Sequence, residues 1–310
     1  MIDPEYLISP DPCLDEFILP NTTQFMQAIG PWSYVLYTTG AVNVVVLSIQ
    51  YIFLARQFFN TIESNRLVST LWVSSIYLVI SVFNMVGIVL PQANDFLWFA
   101  YKIFVGISMG HFVDLTLTWY GGETAMLEHV GEETSLNFRK PPCCCCLILP
   151  TNARLTKNKI RFLRGSVYQI PYTESLSLLI LVSLEMAGYV TEGSLTLASP
   201  DIYITVLISL SSFCGIWGLF MFFNITQQFN LLSNFNYAKK SGLMKITIII
   251  INFQSMIIDV CNRFGLITCI PGALSPSGVA NLIKAVCVLI ESFLLGTMAF
   301  FVYKDEGTYM

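Results

Sequence analysis

The stretch IYITVLISLSSFCGIWGLFMFF, residues 202–223, contains no charged side chain. About 20 mostly apolar residues are enough for an α-helix to cross the hydrocarbon core of a membrane. The composition of the whole chain agrees with this feature, because 55% of its 310 residues are hydrophobic and only 12% are charged. A soluble domain carries roughly 25% charged residues. The sequence therefore predicts a protein that is surrounded largely by lipid.

Six further stretches have the length and apolarity of a membrane span. The predicted fold class is all-α: a polytopic membrane protein with seven transmembrane helices, forming a single membrane domain over residues 1–310. The third, fourth and sixth spans carry ionisable residues, whereas the second has no charge and ends at Pro91. The seven predicted spans are 32–54, 68–90, 96–120, 167–190, 202–223, 243–264 and 279–303.

The distribution of Lys and Arg predicts the orientation, because cytoplasmic loops of membrane proteins carry an excess of these residues. With seven spans, every loop that contains Lys or Arg falls on one side of the membrane, together with Lys304 after the last span. We therefore predict an extracellular N-terminus and a cytosolic C-terminus. On the predicted outer side lie 1–31, 91–95, 191–201 and 265–278, and on the inner side 55–67, the long basic loop 121–166, and 224–242.

The N-terminal segment lacks the basic start and apolar core of a secretory signal. We expect the first span to carry this segment across the membrane. Asn21-Thr22-Thr23 is a glycosylation sequon on the predicted outer side, so Asn21 is a predicted glycosylation site. Asn224-Ile225-Thr226 falls at the predicted inner face and is not expected to be used. Cys13 and Cys269 both fall outside, and a disulfide between them is a further hypothesis.

Four consecutive cysteines, Cys143, Cys144, Cys145 and Cys146, lie in the predicted cytosolic loop. Adjacent side chains diverge, whereas structural zinc sites use cysteines spaced as in C-x₂₋₄-C, so we predict no metal site. Disulfides are disfavoured in a reducing cytosol. Cytosolic cysteines close to a membrane and to basic residues suit reversible S-palmitoylation. We therefore favour lipidation of two or more of these four cysteines over incidental thiols or a metal site, and expect membrane lipid as a partner of this loop.

Ionisable residues within predicted spans are costly to insert and usually face the interior of a helix bundle. On this ground Glu291, Glu174, His111 and Asp114 are candidates for a substrate pathway, together with Glu123 at the end of the third span. Asp259 and Arg263 are four residues apart on one helix face and are predicted to form an outer ion pair. Lys102 and Lys284 are expected to extend to the outer surface.

The order of several short elements resembles one known family along nearly the whole chain. The elements are Ala28-Ile29-Gly30-Pro31, Gly121-Gly122-Glu123, the cysteine run, Ile267-Thr268-Cys269, and Ile290-Glu291-Ser292-Phe293-Leu294. They resemble the organic solute transporter alpha subunit. The resemblance implies a facilitative carrier that moves bile acids, conjugated steroids and similar amphipathic anions across the plasma membrane. It also implies a separate single-span beta subunit as a partner.

Other functions remain open at this stage. A non-transporting role in membrane organisation or trafficking within the same family is the main alternative. A seven-helix receptor is disfavoured, because Trp119-Tyr120-Gly121-Gly122-Glu123 stands where receptors carry an Asp-Arg-Tyr-like element. A retinal protein and an intramembrane metal hydrolase are disfavoured as well. No phosphate-binding loop and no basic stretch suited to nucleic acid is present. We expect no cofactor, no enzymatic activity and no nucleic acid, and leave open whether the chain forms homo-oligomers.

Overall fold

The structure is a computed structural model that describes residues 22–131, 135–136, 153–187, 189, 200–228, 232, 235–270 and 274–304. Within these ranges the chain is almost entirely helical. The helices are α1 Thr22–Ile29, α2 Pro31–Thr61, α3 Ser64–Val89, α4 Asn94–Tyr120, α5 Glu123–Val130, α6 Lys157–Met186, α7 Pro200–Gln228, α8 Tyr237–Ile249, α9 Ser255–Arg263 and α10 Pro276–Lys304. A 3₁₀ turn, Pro91–Ala93, precedes α4, and a π-helical segment, Ile250–Gln254, joins α8 to α9. The antiparallel strands β1 (Ser135–Leu136) and β2 (Ala153–Arg154) are two residues each.

Seven helices in the described part of the chain are long and apolar enough to cross a membrane. They are α2, α3, α4, α6, α7, α10 and the continuous rod formed by α8, the π-helical segment and α9. The predicted all-α fold with seven spans is confirmed to this extent, and the orientation of the termini stays a prediction. Many large apolar side chains on the outer faces of these helices are exposed, as expected where lipid covers the surface.

Two helices begin six or more residues earlier than the apolar pattern predicts. The fourth span begins at Lys157, ten residues before the predicted start at 167, and the sixth begins at Tyr237, six before 243. Both additions carry basic residues, which hydropathy assigns to loops. A helix needs only satisfied backbone hydrogen bonds, so it continues beyond the apolar core without interruption. Part of the predicted 121–166 loop is therefore helical, in α5 and in the first turns of α6.

The helix α3 packs extensively against α2, α4 and α10. Small residues allow two of these approaches: a Cβ on Gly40 of α2 would meet Met85, and one on Gly296 of α10 would meet Leu47 and lie 3.0 Å from the Tyr77 Cβ. In lipid, close approach of backbones replaces the hydrophobic effect as the source of helix association. The same group is fixed by Asn43, whose side-chain nitrogen donates to the Leu289 carbonyl at 2.6 Å.

A second closely packed pair consists of α6 and α7, with α4 against α6. Here Gly215 of α7 faces Ile170 and the backbone oxygen of Ser166. Further along the same seam, the hydroxyl groups of Thr173 and Ser211 are 2.7 Å apart. The second half of the sixth span behaves differently, since α9 packs chiefly against α10. The bundle is therefore less tightly closed beside α9 than elsewhere.

Candidate functional site

An ion pair joins α9 and α10 inside the bundle. The Lys284 Nζ donates to the Asp259 carboxylate at 2.5 Å and lies 3.4 Å from the side-chain oxygen of Asn281. The Lys284 side chain is only 15% exposed, against 48% for Asp259. Lys284 therefore binds within the bundle, where the sequence predicted an extension to the outer surface. The pairing of Asp259 with Arg263 stays a prediction, because the side chain of Arg263 lies outside the described residues.

A polar cavity of about 90 Å³ lies beside this ion pair. Four helices and the π-helical segment enclose it, so residues far apart in sequence share one space. In liquid water one molecule takes about 30 Å³, so the cavity holds a few waters, whereas pockets for drug-sized ligands measure roughly 300–1,000 Å³. Its polar and aromatic walls are Asn84 of α3, Asn94, Trp98 and Tyr101 of α4, Gln254 and Ser255, Asp259 of α9, and Asn281 and Lys284 of α10.

Two more charged residues lie next to the cavity. Lys102 of α4 places its Nζ 3.6 Å from the centre of the Trp98 ring, a cation–π contact. Glu174 of α6 is 2% exposed, and its Oε1 accepts a hydrogen bond from Ser212 of α7 at 3.1 Å. The Lys102 charge interacts with those of Glu174, Lys284 and Asp259. These four residues form a group, here named the four-charge cluster, with two positive and two negative members on four different helices.

Glu291 lies deeper in the bundle and contacts the π-helical segment. It follows Pro276 by 15 residues, which places it about 22 Å along α10. With its amide nitrogen turned toward Glu291, Gln254 donates to both carboxylate oxygens, at 2.7 and 3.1 Å. Single π-helical turns within α-helices occur often at functional sites. Here the turn brings a neutral amide against an intramembrane carboxylate.

A second polar site lies at the opposite end of the bundle, around Gly121-Gly122-Glu123. Gly121 has φ +85° and Gly122 has φ +109°, values that only glycine adopts at low cost. The two glycines end α4 and begin α5 within one sharp turn. This turn directs Glu123 toward α6, where its carboxylate accepts from the Arg161 Nε at 3.0 Å and lies 3.4 Å from an Arg164 nitrogen.

Asp114 extends this network deeper along α4, nine residues before Glu123. Its carboxylate is 2.8 Å from the second terminal nitrogen of Arg164 and accepts a hydrogen bond from the Tyr168 hydroxyl. Arg164 therefore pairs with Asp114 within the third span and with Glu123 just after its end. The network borders an open cleft of about 610 Å³, which Lys157 also lines.

His111 points in another direction from Asp114, although both lie on α4. Its Nδ1 shares a hydrogen bond of 3.3 Å with the Ser69 hydroxyl of α3. The imidazole also stacks on Trp72, with ring centres 5.2 Å apart. The structure therefore places the candidate pathway residues in three locations: Glu174 and Glu291 near the cavity, Asp114 and Glu123 near the cleft, and His111 between α3 and α4.

Several predicted sites involve residues outside the described ranges. Cys143, Cys144, Cys145 and Cys146, Asn21 and Cys13 are all in this group, so lipidation, glycosylation and the Cys13–Cys269 pair stay predictions. Cys269 itself is disulfide-bonded, whereas the described cysteines Cys214, Cys261 and Cys287 are free. Within the described ranges, His, Cys, Asp and Glu side chains form no group of three that could hold a metal ion.

Sequence analysis assigned no part in this site to several residues in or beside the cavity. Lys102 and Lys284 were assigned to the outer surface, and Gln254 was not considered. A usable signal existed for Lys102, because Trp98 precedes it by four residues, the spacing at which two helical side chains meet. The contact between Gln254 and Glu291 had no such signal, because it depends on how the sixth and seventh spans pack.

Seven apolar helices that surround buried charged and amide side chains define a polytopic helical membrane protein with a polar interior. The chain belongs to the family described as organic solute transporter Ostalpha, whose model matches residues 35–308. The resemblance found in the sequence is thereby confirmed, and membership in this family supports a transporter role.

Curated relatives agree with this assignment. The organic solute transporter subunit alpha of Mus musculus is 23% identical over 99% of this chain and 88% of its own length. The subunit alpha of Leucoraja erinaceus is 24% identical over 76% of this chain and 66% of its own length. The organic solute transporter alpha-like protein 3 of Caenorhabditis elegans is 24% identical over 93% and 81%, respectively. No solved structure is significantly similar to this chain.

Proposed function

We propose that this protein is a facilitative transporter of amphipathic organic anions, such as conjugated steroids or bile-acid-like molecules, across the plasma membrane. The observation that carries the proposal is the polar cavity between α3, α4, α9 and α10, with Lys284 in its wall and Lys102 of α4 against its Trp98 ring. A cation inside the membrane-spanning region attracts the acidic group of such a solute. The neighbouring Trp98 and Tyr101 rings offer apolar surface to its body.

The cavity must enlarge during transport, because about 90 Å³ is well below the roughly 300 Å³ of the smallest drug-sized pockets. The element best placed to move is α9, which packs chiefly against α10 and follows the π-helical segment. Displacement of α9 away from α4 would widen the cavity beside Trp98, the ring that Lys102 contacts. The contact of Gln254 with Glu291 would then act as the pivot between the fixed and the moving parts of the sixth span.

Flux through the full-length chain in membrane vesicles tests the proposal. Uptake of a steroid sulphate should reach equilibrium without accumulation, and should need neither ATP nor a sodium gradient. Accumulation beyond the limit set by the membrane potential, abolished by removing sodium, would show a coupled carrier instead. The absence of any protein-dependent flux, with and without a co-expressed single-span beta subunit, would favour the trafficking alternative.

Glu291 provides a second test, because the proposal makes it part of the moving region. Glu291→Gln keeps the shape of the side chain and removes its charge. We expect the variant to reach the cell surface normally and to transport more slowly. The matched control is Glu128→Gln, an exposed carboxylate on α5, which should transport like the wild type. Normal flux in a well-expressed Glu291→Gln variant would reduce Glu291 to a packing residue.

The remaining proposals concern processing and partners. We propose that Cys143 to Cys146 carry acyl chains, that Asn21 is glycosylated, and that a single-span beta subunit assists transport. The support for the acyl chains is the cytosolic position that the basic loops predict, together with the basic residues Arg154, Lys157 and Lys159 that follow in the sequence, of which Arg154 and Lys157 are exposed. The beta subunit is supported by the relatives, whose names describe an alpha subunit.

A further inference from the structure

Lys102 is a partly buried cation, and within the described part of the chain its Nζ donates no hydrogen bond. It lies eight residues after Asn94, about 12 Å along α4. An ammonium group has three donors, yet in the described part of the chain no carboxylate lies within 4 Å of the Lys102 Nζ. The close contact is the face of the Trp98 ring. A cation–π contact leaves the N–H donors that point away from the ring free to bind an anion.

Glu174 has an unused hydrogen-bond acceptor, which complements the unused donors of Lys102. Its side chain is 2% exposed, and while Oε1 accepts from Ser212, Oε2 has no hydrogen-bond partner. A buried carboxylate oxygen without a partner is costly, about 1–3 kcal/mol or more for a charged group. Glu174 is close enough to Lys102 for the two charges to interact, but the described structure holds no direct ion pair between them.

The other two charges of the cluster are already paired. Lys284 is bonded to Asp259 at 2.5 Å and to Asn281. This arrangement leaves one ammonium and one carboxylate oxygen unused, on the neighbouring helices α4 and α6. Lys102 and Glu174 can therefore each bind a new partner, whereas Lys284 and Asp259 already bind each other.

We infer that Lys102 is the residue that binds the acidic group of the transported solute, and that Glu174 is the internal counter-ion that pairs with Lys102 when the solute leaves. This inference rests on the proposed function and specifies its anion site. The sulphate or carboxylate of the solute accepts hydrogen bonds from the Lys102 ammonium, and its apolar body lies against Trp98. On release, the ammonium turns to the unused oxygen of Glu174, so the Lys102 charge has an acidic partner whether the site is empty or occupied.

The exchange of partners has a consequence for both substitutions. Without Lys102 the site loses its attraction for the acidic group, but its apolar wall still accepts the body of the solute. Without the charge of Glu174 the solute has no competitor for Lys102, so it binds more tightly and leaves more slowly. The two variants should therefore change KM in opposite directions.

The experiment compares two conjugates of the same steroid, an anionic sulphate and an uncharged glucoside. Uptake is measured in vesicles from cells that express the full chain as wild type, Lys102→Gln, Lys102→Arg or Glu174→Gln. Lys239→Gln, which removes an exposed lysine on α8, is the matched control. Surface expression of each variant is measured in parallel, and the glucoside serves as an internal control for folding.

For Lys102→Gln we expect KM for the sulphate to rise about 10- to 100-fold, the loss expected for a charged hydrogen bond, while KM for the glucoside stays within about twofold. Lys102→Arg should restore most of the sulphate affinity. Glu174→Gln should lower both KM and the maximal rate for the sulphate and leave the glucoside unchanged. Lys239→Gln should resemble the wild type for both solutes.

The possible failures are distinguishable. Equal loss of both solutes in a normally expressed Lys102→Gln variant, or loss of neither, overturns the role of Lys102 and leaves the proposed transport standing. If that variant does not accumulate, Glu174→Gln decides alone, and an unchanged KM for the sulphate overturns the inference. A wild-type chain that transports neither solute overturns the proposed function and the inference together.

Discussion

The seam between α6 and α7 offers a sharp test of how this bundle is held together. A Cβ built on Gly215 would lie 2.9 Å from the backbone oxygen of Ser166 and closer still to the Ile170 side chain. Carbon atoms essentially never approach an oxygen so closely, and a backbone oxygen inside a helix cannot rotate away. Gly215→Ala must therefore push the two helices apart.

The size of this effect follows from two opposing contributions. Replacement of glycine by alanine inside a helix stabilises the helix by about 1 kcal/mol. Overpacking of a well-packed contact costs about 1–3 kcal/mol, and more where the backbone must shift. We expect the second contribution to be larger at Gly215, with a net destabilisation of about 1–2 kcal/mol. At Gly165 and Gly242 a new Cβ meets nothing within 4 Å, so alanine there should stabilise by up to about 1 kcal/mol.

The measurement is the free energy of unfolding in detergent, by a denaturant titration of wild type and the three alanine variants. Opposite signs at Gly215 on one side and at Gly165 and Gly242 on the other would support the close approach of α6 and α7. A Gly215→Ala variant that is as stable as the two controls would refute this close approach. It would indicate that the distance from a Cβ at position 215 to the Ser166 backbone oxygen is longer than 2.9 Å.

Three further predictions concern the predicted cytosolic side and the orientation. Glu123→Gln should lower the free energy of unfolding by about 1 kcal/mol, because the 17% exposed carboxylate pairs with two arginines. The control Glu63→Gln, 64% exposed in its pair with Arg66, should cost less than about 0.5 kcal/mol, and equal losses would contradict the network. Hydroxylamine-sensitive acyl exchange should label the wild type and lose its signal when Cys143 to Cys146 are replaced by serine; unchanged labelling would place the lipid elsewhere. A tag before Ile2 should be accessible on intact cells and one after Met310 only after permeabilisation, and finding both on one side would exclude seven spans.

The spans themselves could be predicted because the membrane imposes a simple rule on the sequence. Each span needs about 20 apolar residues, and the stretch 202–223 meets this rule without any knowledge of its neighbours. The starts of α6 and α8 could not be predicted in the same way. Hydropathy indicates where the lipid core ends. The helix starts at Lys157 and Tyr237 depend instead on where the helical backbone hydrogen bonds begin.

The four-charge cluster could be predicted only in part. The cost of a charge in lipid identified Glu174 and Glu291 as interior residues. The same cost suggested that Lys102 and Lys284 would extend to the surface, because a long side chain can escape lipid in this way. Which solution a lysine adopts depends on what faces it, and Asp259 of α9 faces Lys284 only after the sixth and seventh spans have packed.

The neutrality of the cluster bears on why a passive carrier would place four charges inside a membrane. A facilitative carrier must release its solute as readily as it binds it, since no energy source drives either step. A lone lysine would hold an anionic solute tightly in a medium of low dielectric constant, where a charge pair interacts several-fold more strongly than in water. A carboxylate within reach competes for the same ammonium and weakens the complex to a reversible level. Glu174 and Asp259 supply such competitors for Lys102 and Lys284, and of these two carboxylates, in the described structure, Glu174 has the buried oxygen that lacks a hydrogen-bond partner. The difference between the two lysines therefore assigns them different roles: the Lys284–Asp259 pair holds α9 against α10, and Lys102 is the cation left to meet the solute.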